Sequence, residues 1–330
     1  MRERGDPVDI ILKMHRDSED RPGVVVASSP EAALGSDHSD GGWAATGAVS
    51  DLPAWAGQLF GDAGETSCIT GGHRCVRVRD AASMTPSEFE QETRKAYRTV
   101  LDGLDADRLW RAWNFIPRIN DDASEGGVDR DRYMSFNAGR HRGFSDVHGS
   151  TVRYPVASGV GHAGDDLVIH LLHGEKSPRV VDNPRQIRPD DYSDLYGDPP
   201  PAFARACLLE ISGADALLVS GTASVVGEAS VHDDFVAQLE ETFRNLEVIV
   251  ERAWPGTDLS VMDDWLIYLP EIRFSERLSD EISALVRDTD AVVEIRQQRL
   301  CRPELLVEIE CAAFPGCRGS SNRAPIGDSR

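Results

Sequence analysis

At 330 residues, 40% hydrophobic and 28% charged, the chain exceeds what one core usually fills, so two domains and a sizeable buried interior are expected. Lys plus Arg total 35 against 56 Asp plus Glu, a formal net charge of -21 that argues against nucleic-acid and anionic-membrane binding and requires a local cationic pocket for any anionic ligand. No stretch approaches the roughly 20 apolar residues that span a bilayer, and Met1 to Asp6 lacks the apolar core of a secretory signal, so a cytoplasmic protein is expected.

In chain order, residues 27 to 66 are rich in Ala, Ser, Gly and Asp and bury little, so residues 1–70 are expected to be partly irregular. The first strong helix signal is Thr85-Pro86-Ser87-Glu88, a capping residue, a proline at the first helical position and a glutamate three residues after the cap. Phe89, Ala96, Tyr97, Val100 and Leu101 then form an apolar stripe, which predicts a helix to about Asp102. Short apolar runs follow, among them Leu167 to Leu172, and a proline-rich connection from Pro178 to Pro201 marks the expected boundary between a 1–200 and a 201–330 domain.

Beyond it the sequence predicts strands near 206–211 and 216–220, a helix near 234–252, a strand near 264–269, a helix near 276–287, and strands near 291–297 and 304–313. Asp233 or Asp234 caps the first of these helices, and Phe235, Leu239, Phe243, Leu246, Ile249 and Val250 give it an apolar face. This order describes an α+β fold with helices packed on one face of a sheet.

The last strand carries the most suggestive chemistry. If Leu305 to Glu310 is extended, Leu305, Val307 and Ile309 occupy one face and Leu306, Glu308 and Glu310 the other. Two readings stay open: the glutamates face water, or one of them lies against apolar neighbours and has the raised pKa a general acid needs near neutrality. Cys301 and Arg302 immediately precede the strand.

Arginines cluster at 130, 132, 140 and 142 and again at 296, 299 and 302, either as solvated stripes or as a site for a small dianion, since guanidinium binds carboxylate in bidentate fashion. Ser220-Gly221-Thr222-Ala223-Ser224 reads as a turn after Leu217-Leu218-Val219, either a plain connection or a place where a ligand approaches the backbone. Cysteines 68, 75, 207, 301, 311 and 317 contain no CxxC pair and are expected to be reduced, and His141, His148, His162, His170 and His173 lack metal-ligand spacing.

Ala112 to Asn120, Arg132 to Arg140, Asn183 to Gln186, Phe203 to Ala206 and Leu218 to Gly227 together resemble the chorismatase family, over roughly residues 75 to 314. The C-terminal part resembles the RidA/YjgF fold through Ser220-Gly221, Gln238 with Asn245, and Glu308-Ile309-Glu310. The resemblance implies a cofactor-free enzyme that removes pyruvate from chorismate, with Glu308 as the catalytic acid. It also implies Arg140 and Arg205 as carboxylate binders, with Tyr196, Ser220, Gly221, Thr222 and Ala223 around the ring.

The sequence departs from the family pattern at Tyr196-Gly197, which Asp198 follows where an arginine is common. Cys301 resembles the branch that gives 3-hydroxybenzoate, whereas a small apolar residue there resembles hydrolases giving 3,4-dihydroxycyclohexa-1,5-diene carboxylate. The alternative from another class is a RidA-like protein that binds a small carboxylate or hydrolyses an imine. RidA proteins are trimers, but an added N-terminal half is able to complete its own site, which favours a monomer.

Overall fold

The computed structural model describes residues 11–16, 22–27, 52–53, 55–56, 71–149, 152–211, 213–286, 289 and 291–315. Strands β1 (Ile11–Arg16), β2 (Pro22–Ala27) and β3 (Gly71–Val78) precede helix α1 (Pro86–Leu101). The capping box forms as the sequence predicts: Thr85 accepts from the Glu88 backbone and the Glu88 side chain accepts from the Thr85 backbone. Strand β4 (Leu109–Pro117), helix α2 (Arg132–His148) and strand β5 (Val156–His162) make a β-α-β unit with parallel strands. Strands β6 (Leu167–Gly174), β7 (Arg179–Val181), β8 (Ala206–Ile211) and β9 (Ala214–Ala223) follow, with a short ladder of β10 (Val225–Val226) and β11 (Ala229–Ser230).

Helix α3 (Phe235–Ala253) is capped by Asp234, and strand β12 (Asp264–Leu269), helix α4 (Ser275–Val286) and strand β13 (Val292–Gln297) form a second parallel β-α-β unit. Strand β14 (Glu308–Ala313) completes the fold.

The strands form an eight-stranded sheet, β2-β1-β13-β12-β14-β9-β8-β7, and a four-stranded sheet, β3-β6-β4-β5. One face of the large sheet buries Val219, Ile267, Ile295, Val307 and Ile309 against Leu239, Leu246, Ile249 and Val250 of α3 and Leu278 and Ile282 of α4. Its other face packs Leu218, Leu266 and Ala312 against Trp113, Phe115, Val160 and Val168 of the small sheet. Beyond the small sheet, Phe89, Tyr97 and Leu101 of α1 and Phe136 and Phe144 of α2 form a third core with Ala112, Ile116 and Leu171. The layers therefore run helix, sheet, sheet, helix. The chain is α+β with helices on one face of the large sheet, as expected.

Three local readings are corrected. Ser220 to Ala223 are not a turn: they belong to β9 and pair with β14, with Ala223 opposite Glu308 and Thr222 opposite Ile309. Ladder pairing overrides the turn chemistry of Ser-Gly-Thr-Ala-Ser. The last strand begins at Glu308 and not near 304, because Gln238 of α3 holds the approach: its Nε2 donates to the Glu304 carbonyl at 2.9 Å and its Oε1 accepts from the Leu306 N–H at 2.8 Å. With 305 outside the ladder, Leu305 joins the core between the sheets, while Leu306 packs on the helix side.

Strands from both sides of residue 200 share the large sheet, since β1 pairs with β13 and β7 with β8. The irregular character expected for 27 to 66 lies almost wholly outside the described residues. Within that stretch Trp55 is buried 5.4 Å from both Trp113 and Phe314, measured between ring centres.

Candidate active site

Glu308 and Glu310 share the face of β14 that looks into the layer between the sheets, and both are buried, at 4% and 2% exposure. A bulge between β9 and β14 shapes this place. Ile309 pairs with Thr222 and Cys311 with Val219, so Ser220 and Gly221 together oppose Glu310. The Ser220 N–H donates to the Arg205 carbonyl at 2.9 Å, whereas the Gly221 N–H turns across the layer and donates to Ser158 Oγ at 2.9 Å. The carboxyl of Glu308 fills the space beside Gly221 that a side chain would occupy.

The two carboxylates meet different surroundings. Glu310 accepts from Trp113 Nε1 at 2.8 Å and from the Tyr268 hydroxyl at 3.0 Å, and is paired with Arg111 Nη2 at 2.7 Å. The carboxyl of Glu308 accepts no hydrogen bond from the described residues. Burial pushes its pKa up to about 8, helped by the charge of Glu310 and opposed by Arg111, Arg205 and Arg302. Its surroundings therefore favour the protonated form, and the carboxyl does not face water.

Two adjoining chambers meet at this carboxyl. The larger, about 310 Å³, is lined by Glu308, Cys301, Arg205, Tyr196, Gly221 and Ala223, all of them expected, together with Arg302 and the apolar Phe203, Val225 and Leu305. The smaller, about 40 Å³, holds the expected Arg140 beside Asn137, Ser158 and Tyr133. Tyr133, Phe203, Gly221, Cys301 and Glu308 line both. Ser220 and Thr222 line neither chamber: both are fully buried, and the Thr222 hydroxyl turns back to donate to the Ser220 carbonyl.

Three guanidiniums surround the acid. Arg140 donates through Nε to the Tyr97 hydroxyl at 3.1 Å and through Nη1 to the Ala202 carbonyl, and its Nη2 is buried with no partner among the described residues. Arg205 donates through Nη2 to the Tyr192 hydroxyl and the Ile187 carbonyl, with Nε left unpartnered. Arg302 lies 3.9 Å over the Tyr196 ring and donates to the Glu228 carbonyl at 2.8 Å. Where the family pattern places an arginine after Tyr-Gly, this chain has Asp198, and the cation against Tyr196 is Arg302.

The Cys301 thiol is pushed up to about 12, first by burial and then by the neighbouring Glu308, so it lines the site as a neutral thiol. Burial also raises the Tyr133 phenol, so it remains a hydrogen-bond donor. Tyr133, Asn137 and Arg140 lie at i, i+4 and i+7 on α2, one helical face pointed at the site. That spacing was the available signal for Tyr133 and Asn137. Arg302 was visible as part of an arginine cluster, but nothing local marked Ser158 or Arg111, which reach the site from the second sheet. Among the described residues no group of three or more His, Cys, Asp or Glu is arranged to hold a metal ion, and no helix is long and apolar enough to cross a membrane.

Residues 63–173 match the family model described as chorismatase FkbO/Hyg5-like, N-terminal. A 3-hydroxybenzoate synthase of Streptomyces hygroscopicus is 30% identical over 272 residues, covering 78% of this chain and 79% of that protein. A chorismatase of Streptomyces rapamycinicus is 29% identical over 221 residues, 61% of this chain and 63% of its own. A crystal structure of a chorismatase shares the fold at a TM-score of 0.65 and 24% identity, over 73% of this chain and 74% of that one.

Proposed function

The chain belongs to the chorismatase family, and from that premise we propose that it converts chorismate to pyruvate and 3-hydroxybenzoate, with Glu308 as the proton donor. The observation that carries the reading is a carboxyl buried where two guanidinium-lined chambers meet, its pKa raised by that burial. Chorismate bears two carboxylates and an enol ether, and each finds a counterpart here.

The small chamber accommodates little more than a carboxylate, and its unpartnered Arg140 Nη2 and Asn137 Nδ2 suit the enolpyruvyl carboxylate. A buried donor without a partner costs about 1–3 kcal/mol, so these two groups favour a state in which a ligand satisfies them. The ring and its carboxylate fill the larger chamber, between Arg205 and Arg302 at its polar end and Phe203, Val225 and Leu305 along its apolar wall. This pose brings the enol-ether methylene against Glu308.

Glu308 then gives its proton to the terminal methylene carbon, and the double-bond electrons form that C–H bond, leaving an oxocarbenium ion. Breaking the bond between the ether oxygen and the ring sends its electrons to oxygen and releases pyruvate. The hydroxyl on the adjacent ring carbon closes onto the carbon that pyruvate leaves and gives its proton to the Glu308 carboxylate, forming an epoxide. The epoxide's bond to the hydroxyl's original carbon then breaks, leaving the oxygen on the former ether carbon, where it takes that proton back from Glu308. Loss of the hydrogen on that carbon as a proton to Glu308 makes the ring aromatic. Pyruvate and 3-hydroxybenzoate together contain the atoms of chorismate, so no water is consumed, whereas the dihydrodiol branch adds one. The apolar wall and the neutral Cys301 thiol support the branch without water. A monomer in the cytoplasm is the proposed setting, and Cys207, Cys301 and Cys311 as thiols outside any disulfide are in keeping with that compartment.

The test is to incubate the protein with chorismate, assay pyruvate and separate the ring product by chromatography. Equal amounts of pyruvate and 3-hydroxybenzoate are expected. Absence of pyruvate overturns the chorismatase reading and favours a RidA-like role, while recovery of only the dihydrodiol overturns the assignment of the branch.

A further inference from the structure

Two glutamates two residues apart on the same face of β14 compete for one local cation, and the structure gives it to the one that is not the acid. Arg111, 1% exposed on β4, places Nη2 2.7 Å from Glu310 Oε1 and 2.6 Å from Ser158 Oγ. Trp113 from the same strand and Tyr268 from β12 complete the shell around Glu310, so three donors from two sheets converge on it. No donor among the described residues reaches Glu308. In a dry layer an unpaired carboxylate is costly and a paired, hydrogen-bonded one is tolerated, so the arrangement separates the two carboxyls into an ionised and a protonated member.

We propose that Glu310 is a positioning residue for the acid: it ties down Arg111 and sets a fixed negative charge beside Glu308, so that the proton stays on Glu308. Without the Glu310 charge, the Arg111 guanidinium, which already favours ionisation of Glu308, is left unneutralised beside it and favours the ionised, inactive form further. This inference rests on the reading of Glu308 as proton donor and adds what keeps it one.

The remaining charged and titratable groups around Glu308 do not supply this effect. Arg205 before β8 and Arg302 before β14 are cations that favour ionisation, and Arg140 on α2 lines the small chamber beside the carboxyl. Asp131 at the cap of α2 and Glu304 also line the larger chamber, where Asp131 accepts from the Met134 N–H and Glu304 from Ser230. Burial raises the Tyr133 and Tyr268 phenols, Tyr196 at the chamber wall is also raised, and Cys301 stands at about 12, so none of these titrates near neutrality. Tyr192 is engaged by Arg205.

The experiment reads Glu308 directly. Protein carrying carboxyl-labelled glutamate is titrated without substrate from about pH 5 to about pH 10 in the infrared, and the protonated-carboxyl stretch of Glu308 is identified by its loss in Glu308→Gln. The alkaline limb of kcat/KM for pyruvate release is measured in parallel. Glu310→Gln is expected to move both transitions down by about one unit, tenfold in proton concentration, and Arg111→Gln to move them up. If Glu310→Gln lowers the rate equally at every pH and leaves the titration in place, its role is structural and the proposal falls. Should Glu310→Gln fail to fold, Arg111→Gln alone decides, since an unchanged or lowered transition contradicts the proposal. Titrations that shift as expected in a protein that releases no pyruvate leave this inference standing and remove the chorismatase reading instead.

Discussion

A methyl group on residue 221 would lie 1.9 Å from Oε1 of Glu308 and 3.0 Å from Ser158 Oγ, well inside contact distance. The carboxyl is the end of a flexible side chain, so Gly221→Ala is expected to swing it out of place without unfolding the strand. Pyruvate release should drop by about 10²–10⁴-fold, the range a general acid supplies, while the melting temperature changes little. Full activity in Gly221→Ala would show that the carboxyl position beside residue 221 is not the working one. At this scale the sequence was informative where chemistry is concentrated in a motif: Glu308, Cys301, Arg140, Arg205 and Tyr196 all reach the site. It was silent on Arg111 and Ser158, whose roles arise only when β4 and β5 are laid across β14 and β9. Ser220 and Thr222 were misplaced because the bulge leaves Gly221 and Ala223, and not their neighbours, in the chamber wall.

Helices α1 and α2 carry Arg140 to the small chamber, and their close approach depends on small residues. A Cβ on Gly143 would sit 2.5 Å from the Tyr97 Cβ, and one on Gly139 2.4 Å from the Glu90 carbonyl oxygen. Gly143→Ala is therefore expected to force the helices apart and destabilise the fold by about 1–3 kcal/mol. Since Tyr97 holds Arg140 through its hydroxyl, the same change should raise KM for the dianionic substrate more than it lowers kcat. Chemical denaturation and steady-state kinetics read the two effects, and an unchanged KM would separate the helix contact from the site. The elements themselves were legible where capping and periodicity agree, as at Thr85 for α1 and Asp234 for α3. The start of β14 was not, because a side chain from α3 decides it: Gln238 captures the Glu304 and Leu306 backbone that the apolar pattern assigns to the strand.

Across the whole molecule, a chain of net charge -21 gathers Arg140 and Arg205, near 5% exposure, with Arg302 around the chambers at Glu308, so an anionic substrate finds a local cationic site in an acidic protein. The α+β class followed from the order of helices and strands. The stacking of two sheets did not, because the pairing of β1 with β13 and the contact of β4 with β14 join residues hundreds of positions apart. That stacking is what removes Glu308 from water. The most direct test of its role is the single-turnover rate of pyruvate formation from chorismate in Glu308→Gln, which keeps shape and removes the acidic proton. A loss of about 10²–10⁴-fold with an unchanged melting profile is predicted, and a rate within a few-fold of the unaltered protein would contradict the account.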